Sequence, residues 1–222
     1  MRYLVLAGPR SPTSIRAFAV WLAILSAALP LRLSAQVRVE FAPQLGVFTA
    51  TTDLPSDLDV VCGCSATLKQ GTSFGLGGRL NLWLTSRLGI EGSVGYSGSR
   101  LIVRPKSVPI ASDDAHVLTG SARLLLSLQP GSLPLSFHLS GGAGVVSHGG
   151  EAYDGVRGTN DFAVTAGAGF RYPVSETISL RVDVDGYHYT AQFYDNIGHT
   201  TPSRSQTDLW ILVGFTGRWG AD

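Results

Sequence analysis

Residues 88–97 read LGIEGSVGYS, and their alternation decides the fold class. Leu88, Ile90, Val94 and Tyr96 fall on one side of an extended chain; Gly89, Glu91, Ser93 and Gly95 fall on the other. Successive side chains of a strand point to opposite faces, so the pattern describes a strand with one apolar and one polar face. That polar face is an odd one for contact with water, being half glycine with a single charge.

The alternation recurs along the chain. Residues 37–49, 73–84, 116–128, 135–146, 162–172, 178–189 and 207–219 complete a set of eight predicted strands. In 73–84, Phe74, Leu76, Leu80 and Leu82 oppose Arg79 and Asn81; in 178–189, Ile178, Leu180, Val182 and Val184 oppose Arg181, Asp183, Asp185 and Tyr187. Pro43 interrupts the first strand and, lacking an amide proton, predicts a bulge or local break there. The connections alternate in length. Thr85-Ser86-Arg87, Gln129-Pro130-Gly131-Ser132 and residues 173–177 are short, whereas residues 50–72, 98–115, 147–161 and 190–206 are long. Short turns at one end and long loops at the other describe an all-β, antiparallel up-and-down barrel.

The chain has 222 residues, and its start differs from the rest. Arg2, Arg10 and Arg16 precede an uncharged fifteen-residue run, residues 17–31, and Leu33-Ser34-Ala35 then offers a small-residue exit before Gln36. This describes a cleaved export signal, residues 1–35, ahead of a barrel domain at 36–222. The run falls short of the roughly 20 apolar residues a membrane helix needs. Removing residues 1–35 lowers the basic count from 17 to 13 against 16 acids, a net charge of −3. With no basic cluster, nucleic acid is not an expected partner.

Alternation leaves open which face is inside. A soluble, lipocalin-like barrel turns its apolar face inward, and a membrane barrel turns it outward. Charge favours the membrane arrangement. Only 29 of the 187 residues after the signal are Lys, Arg, Asp or Glu, many of them in loops. Water-facing surfaces carry roughly 25–35% charged residues. Faces of Gly, Ser and Thr with a few long charged side chains suit instead the lumen of an eight-stranded barrel, which is just wide enough for side chains to fill it. The inward charges would be Arg79, Glu91, Arg123, His138, Arg171, Arg181, Asp183, Asp185, Asp208 and Arg218. Ionised groups in a narrow bore need partners, so a salt-bridged plug is expected, with a small gated path as the alternative.

On this pattern the chain resembles the small eight-stranded outer-membrane barrels, the OmpA-like transmembrane domain and OmpX/OmpW-like proteins. Residues 170–183, FRYPVSETISLRVD, are similar to the sixth-strand, turn and seventh-strand unit of those families. Residues 214–219, GFTGRW, resemble the C-terminal signal read by the outer-membrane assembly machinery. Gly214 and Trp219 match it; Leu212 and Gly217 depart from it, and Gly220-Ala221-Asp222 trails beyond. The resemblance implies a Gram-negative-type outer membrane, contact with its lipid and lipopolysaccharide, and delivery by that machinery to a monomeric barrel. It does not choose a function among those families: the salt-bridged lumen points to a structural or surface-binding role, and the OmpW-like members imply a channel for small solutes or apolar compounds. No cofactor is implied.

Two further motifs bear on chemistry. His138-Leu139-Ser140 with Glu151 resembles the His-x-Ser pair and downstream Glu of the lipid A deacylases, which would make Ser140 the nucleophile, His138 the base and Glu151 the orienting group. Gly141 stands where that family has Asn, and strand phase points His138 and Ser140 into the lumen, away from lipid. Cys62-Gly63-Cys64 lies in the first long loop. In an exported protein such a pair is expected as a disulfide, here a tiny strained ring. With His116, His148 and His199 at the other long loops, the thiolates are also conceivable zinc ligands.

Overall fold

In the computed structural model, residues 38–54, 66–105, 111–129, 134–154, 157–194 and 201–219 are described. The export segment, both cysteines and His199 lie outside them. Among the described residues, nine strands form one sheet: β1 (Arg38–Ala50), β2 (Ala66–Gln70), β3 (Ser73–Trp83), β4 (Leu88–Pro105), β5 (Ala111–Leu128), β6 (Ser136–Gly149), β7 (Asn160–Pro173), β8 (Ile178–Ala191) and β9 (Arg204–Trp219). All pairings are antiparallel. β1 pairs with both β3 and β9, and β4 with β5, so the sheet closes on itself. β2 prolongs the β3 strand past a break at Gly71-Thr72 and pairs with β4 alone, so the closed barrel has eight strands.

The faces settle the arrangement. Phe74 is 84% exposed and Leu124 71%, whereas Glu91 and Arg181 are fully buried. The apolar face points outward and the charged face inward, which a water-soluble barrel would reverse. Outward aromatics gather at two levels: Phe74, Tyr96 and Phe162 toward the long loops, and Phe137, Tyr172 and Phe215 toward the short turns. Phe162 and Tyr172 stand on β7, and at about 3.3 Å per residue and a tilt near 40° they are roughly 25 Å apart in height, the thickness of a barrel's apolar band.

Hydroxyl groups close two of the short turns in the same way. Thr85 Oγ1 accepts from the Leu88 amide (2.9 Å), and Ser175 Oγ from the Ile178 amide (3.1 Å). At the other end the expectation of a long loop at 98–115 is corrected. β4 and β5 stay paired as far as Val103 and Ala111, forming a hairpin that reaches beyond the barrel wall. Polar outward residues such as Arg100 and Asp114 replace the apolar ones there, which ends the apolar/polar alternation without ending the strands. The break expected at Pro43 falls on one side only. β1 keeps its register with β3 through Pro43, while its ladder to β9 lapses at Ala42 and Pro43.

Candidate functional site: the luminal charge network

The lower half of the lumen, toward the short turns, is filled by ion pairs. Arg79 is at its centre. Its guanidinium meets Glu91 at 2.8 Å, Asp183 at 3.7 Å, and both Asp185 and Gln44 in short contacts. Arg123 forks onto Asp185 (2.6 and 3.0 Å) and approaches Glu91 (3.4 Å). Arg181 joins Glu91 (2.5 Å) to Asp183 (2.8 Å), and His138 Nε2 meets the other oxygen of Asp183 at 2.6 Å. Nearer the short turns, Arg171 binds Glu40 at 2.6 Å and stacks over the Trp83 ring at 5.1 Å. Arg79, Arg123, Arg171 and Arg181 thus balance Glu40, Glu91, Asp183 and Asp185 in number. A void of about 10 Å³ beside Arg79, Gln44 and Trp210 has room for about one water.

Glycine makes the space. On β7 the inward positions run Thr165, Gly167, Gly169, Arg171. A Cβ on Gly169 would lie 2.7 Å from both Asp183 Oδ1 and His138 Nε2 and would run into the Val182 carbonyl oxygen. One on Gly167 would overlap the Asp185 carboxylate. Gly169→Ala is therefore expected to cost about 1–3 kcal/mol of barrel stability, read as an earlier urea midpoint in micelles. Gly92→Ala, whose added methyl meets nothing within 4 Å, is expected to leave the midpoint unchanged.

The comparisons agree with this architecture. A family model described as the outer membrane protein beta-barrel domain matches residues 18–206. The chain belongs to that family. No curated protein matches it. Among solved structures, OprG from Pseudomonas aeruginosa is 14% identical with a TM-score of 0.61, covering 83% of this chain and 97% of its own. AlkL, determined in DMPC bilayers, is 16% identical with a TM-score of 0.55, covering 87% and 96%. At such identities the likeness extends to the fold. As a member of the family, the protein resides in the outer membrane of a Gram-negative-type bacterium, with its short turns on the periplasmic side and its long loops outside.

The barrel brings together Arg79, Glu91, Arg123, His138, Arg171, Arg181, Asp183 and Asp185 from the inward residues expected. It separates two others. Asp208 sits in the extracellular half, where it accepts from the Tyr189 hydroxyl (2.8 Å) and, among the described residues, has no ionic partner. Arg218 faces Glu40 in register, but Glu40 is engaged by Arg171 and Arg38 instead. Glu40, Gln44 and Asn81 are members that the inward-charge reading left out. Gln44 donates to Asp183 (2.5 Å), and Asn81, with its amide nitrogen toward Glu91, accepts from Arg171 and Arg181.

The deacylase-like set is not assembled. His138 and Ser140 share the luminal face of β6, but His138 is bound by Asp183 and Arg181. Glu151 is exposed beyond the other end of the strand, in a short 3₁₀ turn, Glu151–Tyr153. The eleven residue steps from His138 to Gly149 alone span roughly 36 Å. Nor do the two described loop histidines converge. His116 stacks on Tyr96 on the outer face (5.7 Å), whereas His148 is buried in the lumen.

The extracellular half of the lumen has a different chemistry. Trp210 crosses from β9 and packs edge-on against Phe48, their centroids 5.3 Å apart. Above it, His148 lies among Tyr153 (5.6 Å), Tyr189 (5.9 Å) and Phe193 (6.1 Å). The Tyr153 hydroxyl donates to Gln70 (2.8 Å), and burial, with the Asp208 charge nearby, holds that phenol above the ordinary tyrosine pKa.

Proposed function

We propose that this protein is a closed, non-enzymatic barrel that serves envelope structure or surface interaction through its extracellular loops. The ion-paired plug carries the reading. Opening a path through it would strip buried charges of their partners, which costs about 3–5 kcal/mol for each broken pair. In this reading the barrel is a monomer, inserted by the assembly machinery and held by outer-membrane lipid and lipopolysaccharide around its apolar wall. Planar-bilayer recording on refolded protein tests it. The wild type is expected to give no unitary conductance steps, and reproducible steps would overturn the reading.

A channel for small solutes or apolar compounds is the second reading, and one observation favours it. A groove of about 510 Å³ on the lipid-facing wall, opened by the missing side chains of Gly78 and Gly92, reaches Arg79 and Ser93, which also border the luminal void. The same recording, repeated with apolar solutes present, separates the two.

A further inference from the structure

The outer wall changes character around its extracellular edge. β3, β4 and β7 turn Phe74, Tyr96 and Phe162 outward there. β8, β9 and β1 turn hydroxyls and an imidazole outward instead. His188 stands exposed on β8, in register with Val164 of β7 on one side and Thr207 of β9 on the other, two residues along β7 from Phe162. Both nitrogens of its ring are engaged, Nδ1 with Thr207 Oγ1 (2.9 Å) and Nε2 with Ser205 Oγ (3.2 Å). Thr190 is exposed directly opposite Ser205, and on the far side of β9 the Thr49 hydroxyl of β1 meets that of Thr72 at 2.8 Å. At their periplasmic ends the same three strands turn Ile178, Phe215 and Phe41 outward, so the polar panel belongs to the extracellular edge alone among the described residues.

The panel has more hydrogens to give than its own bonds use. A neutral imidazole carries one N–H, so it donates to one of its two hydroxyls and accepts from the other. The hydroxyl that receives the N–H keeps its own O–H for an outside acceptor. One O–H is left over in the Thr49–Thr72 pair in the same way, and Thr190 adds another. None of these side chains is Lys, Arg, Asp or Glu. A phosphate or carboxylate calls for the charge-assisted bonds of arginine or lysine, so the partner that fits is a neutral head rich in acceptor oxygens. Against an outer-membrane barrel at this level, such a head is the acylated sugar pair of lipopolysaccharide, whose ring, ether and acyl carbonyl oxygens all accept. From β8 across β9 and β1 to Thr72 the panel covers three strand spacings, roughly 14 Å, which gives room for two linked sugar rings. We infer that His188, Ser205 and Thr207, with the threonines beside them, form a seat for the neutral sugar head of one lipopolysaccharide molecule. The imidazole is the clamp that fixes both β9 hydroxyls. The inference rests on the reading above that lipopolysaccharide holds the barrel, and it names the face at which it does so.

The test uses the full barrel refolded in neutral-detergent micelles, with purified lipid A as probe and native mass spectrometry to read the bound fraction. The wild type is expected to hold one molecule. His188→Ala with Ser205→Ala is expected to raise the Kd about tenfold, as the loss of a few neutral hydrogen bonds would. Leu118→Ala, an outward residue of β5 away from the panel, is expected to leave it unchanged. Thr190→Val with Ser205→Ala removes hydroxyls and leaves the imidazole; it is expected to weaken binding as well, and it serves if the first pair does not give the heat-modifiable band of a closed barrel. Lipid A stripped of its phosphates is expected to bind as well as the intact form, and phosphatidylethanolamine is expected not to compete. Panel variants that bind like the wild type would overturn the seat, and so would binding that is lost with the phosphates or competed by the phospholipid. A wild type that holds no lipid A would overturn the seat together with the lipopolysaccharide part of the reading above, whereas binding that ignores the panel would overturn the seat alone. Conductance tests the closed plug apart from both.

Discussion

Arg79→Ala is expected to lower the unfolding free energy by about 3–5 kcal/mol, the cost of breaking a buried ion pair by removing one partner. The measurement is a urea titration of the refolded barrel in detergent micelles. The size of the effect follows from what one guanidinium does. It alone touches Glu91, Asp183, Asp185 and Gln44, which come from β4, β8 and β1 and meet across the bore. Without it, Glu91 keeps Arg181 and Arg123, and Asp185 keeps Arg123, but three carboxylates then share two central cations. Arg79→Lys is expected to recover only part of the loss, because an ammonium cannot reproduce the planar fork. The exposed pair Arg100–Asp114, at 3.6 Å with side chains 69% and 80% accessible, is the control, and Arg100→Ala is expected to change stability by less than about 1 kcal/mol. A loss under 1 kcal/mol for Arg79→Ala as well would mean that the plug does not hold the barrel together.

Glu91 shows why so much of this was legible in the sequence, and Asp208 shows where legibility ends. Period-two alternation assigns a side chain to a face, so Glu91, Arg123 and Asp183 could be read as inward, and the scarcity of charge on that face identified it as a lumen. Alternation says nothing about height. Which inward residues meet depends on the stagger between strands and on contacts across the bore: Arg79 on β3 reaches Asp185 on β8, far from it in the sheet order. Asp208 therefore reads like Asp183 in sequence and yet lies in another layer, bound to Tyr189. Glu40 and Gln44 were readable by the same rule, since they alternate with Phe41, Pro43 and Leu45 on β1, but Pro43 blurred the phase of that strand. Gly167 and Gly169 carried a signal of the opposite kind. Inward residues without side chains are recesses, and only the fold shows that Asp185 and Asp183 occupy them. The strand ends beyond the membrane were hidden for a chemical reason: there the outward residues Arg100 and Asp114 are polar and the inward Leu101 and Ala115 beside them are apolar and buried, so the two faces exchange character along one strand.

Trp210→Ala is expected to cost about 3–5 kcal/mol, as for other fully buried aromatic residues, and to do so from the apolar half of the lumen rather than the ionic one. The indole reaches across from β9 to the opposite wall, where two inward glycines receive it. A Cβ on Gly75 would stand 2.6 Å from the ring and one on Gly95 3.3 Å from it. Gly95 is the better probe, because the atoms nearest its new methyl belong to side chains, Thr119 Oγ1 at 2.8 Å and then the Trp210 ring, whereas at Gly75 the Tyr96 carbonyl oxygen is also 2.6 Å away. Gly95→Ala alone is expected to cost about 1–3 kcal/mol through crowding. Once Trp210 is alanine the crowding against the ring is gone, so the double variant should lose less than the sum of the singles, with a coupling of about 0.5–3 kcal/mol. Strict additivity would show that the ring does not rest on this wall. A coupling of the expected sign would place Trp210 as the strut between the two sides of the barrel, bearing on glycines that leave room for it and for nothing larger than a hydrogen of their own.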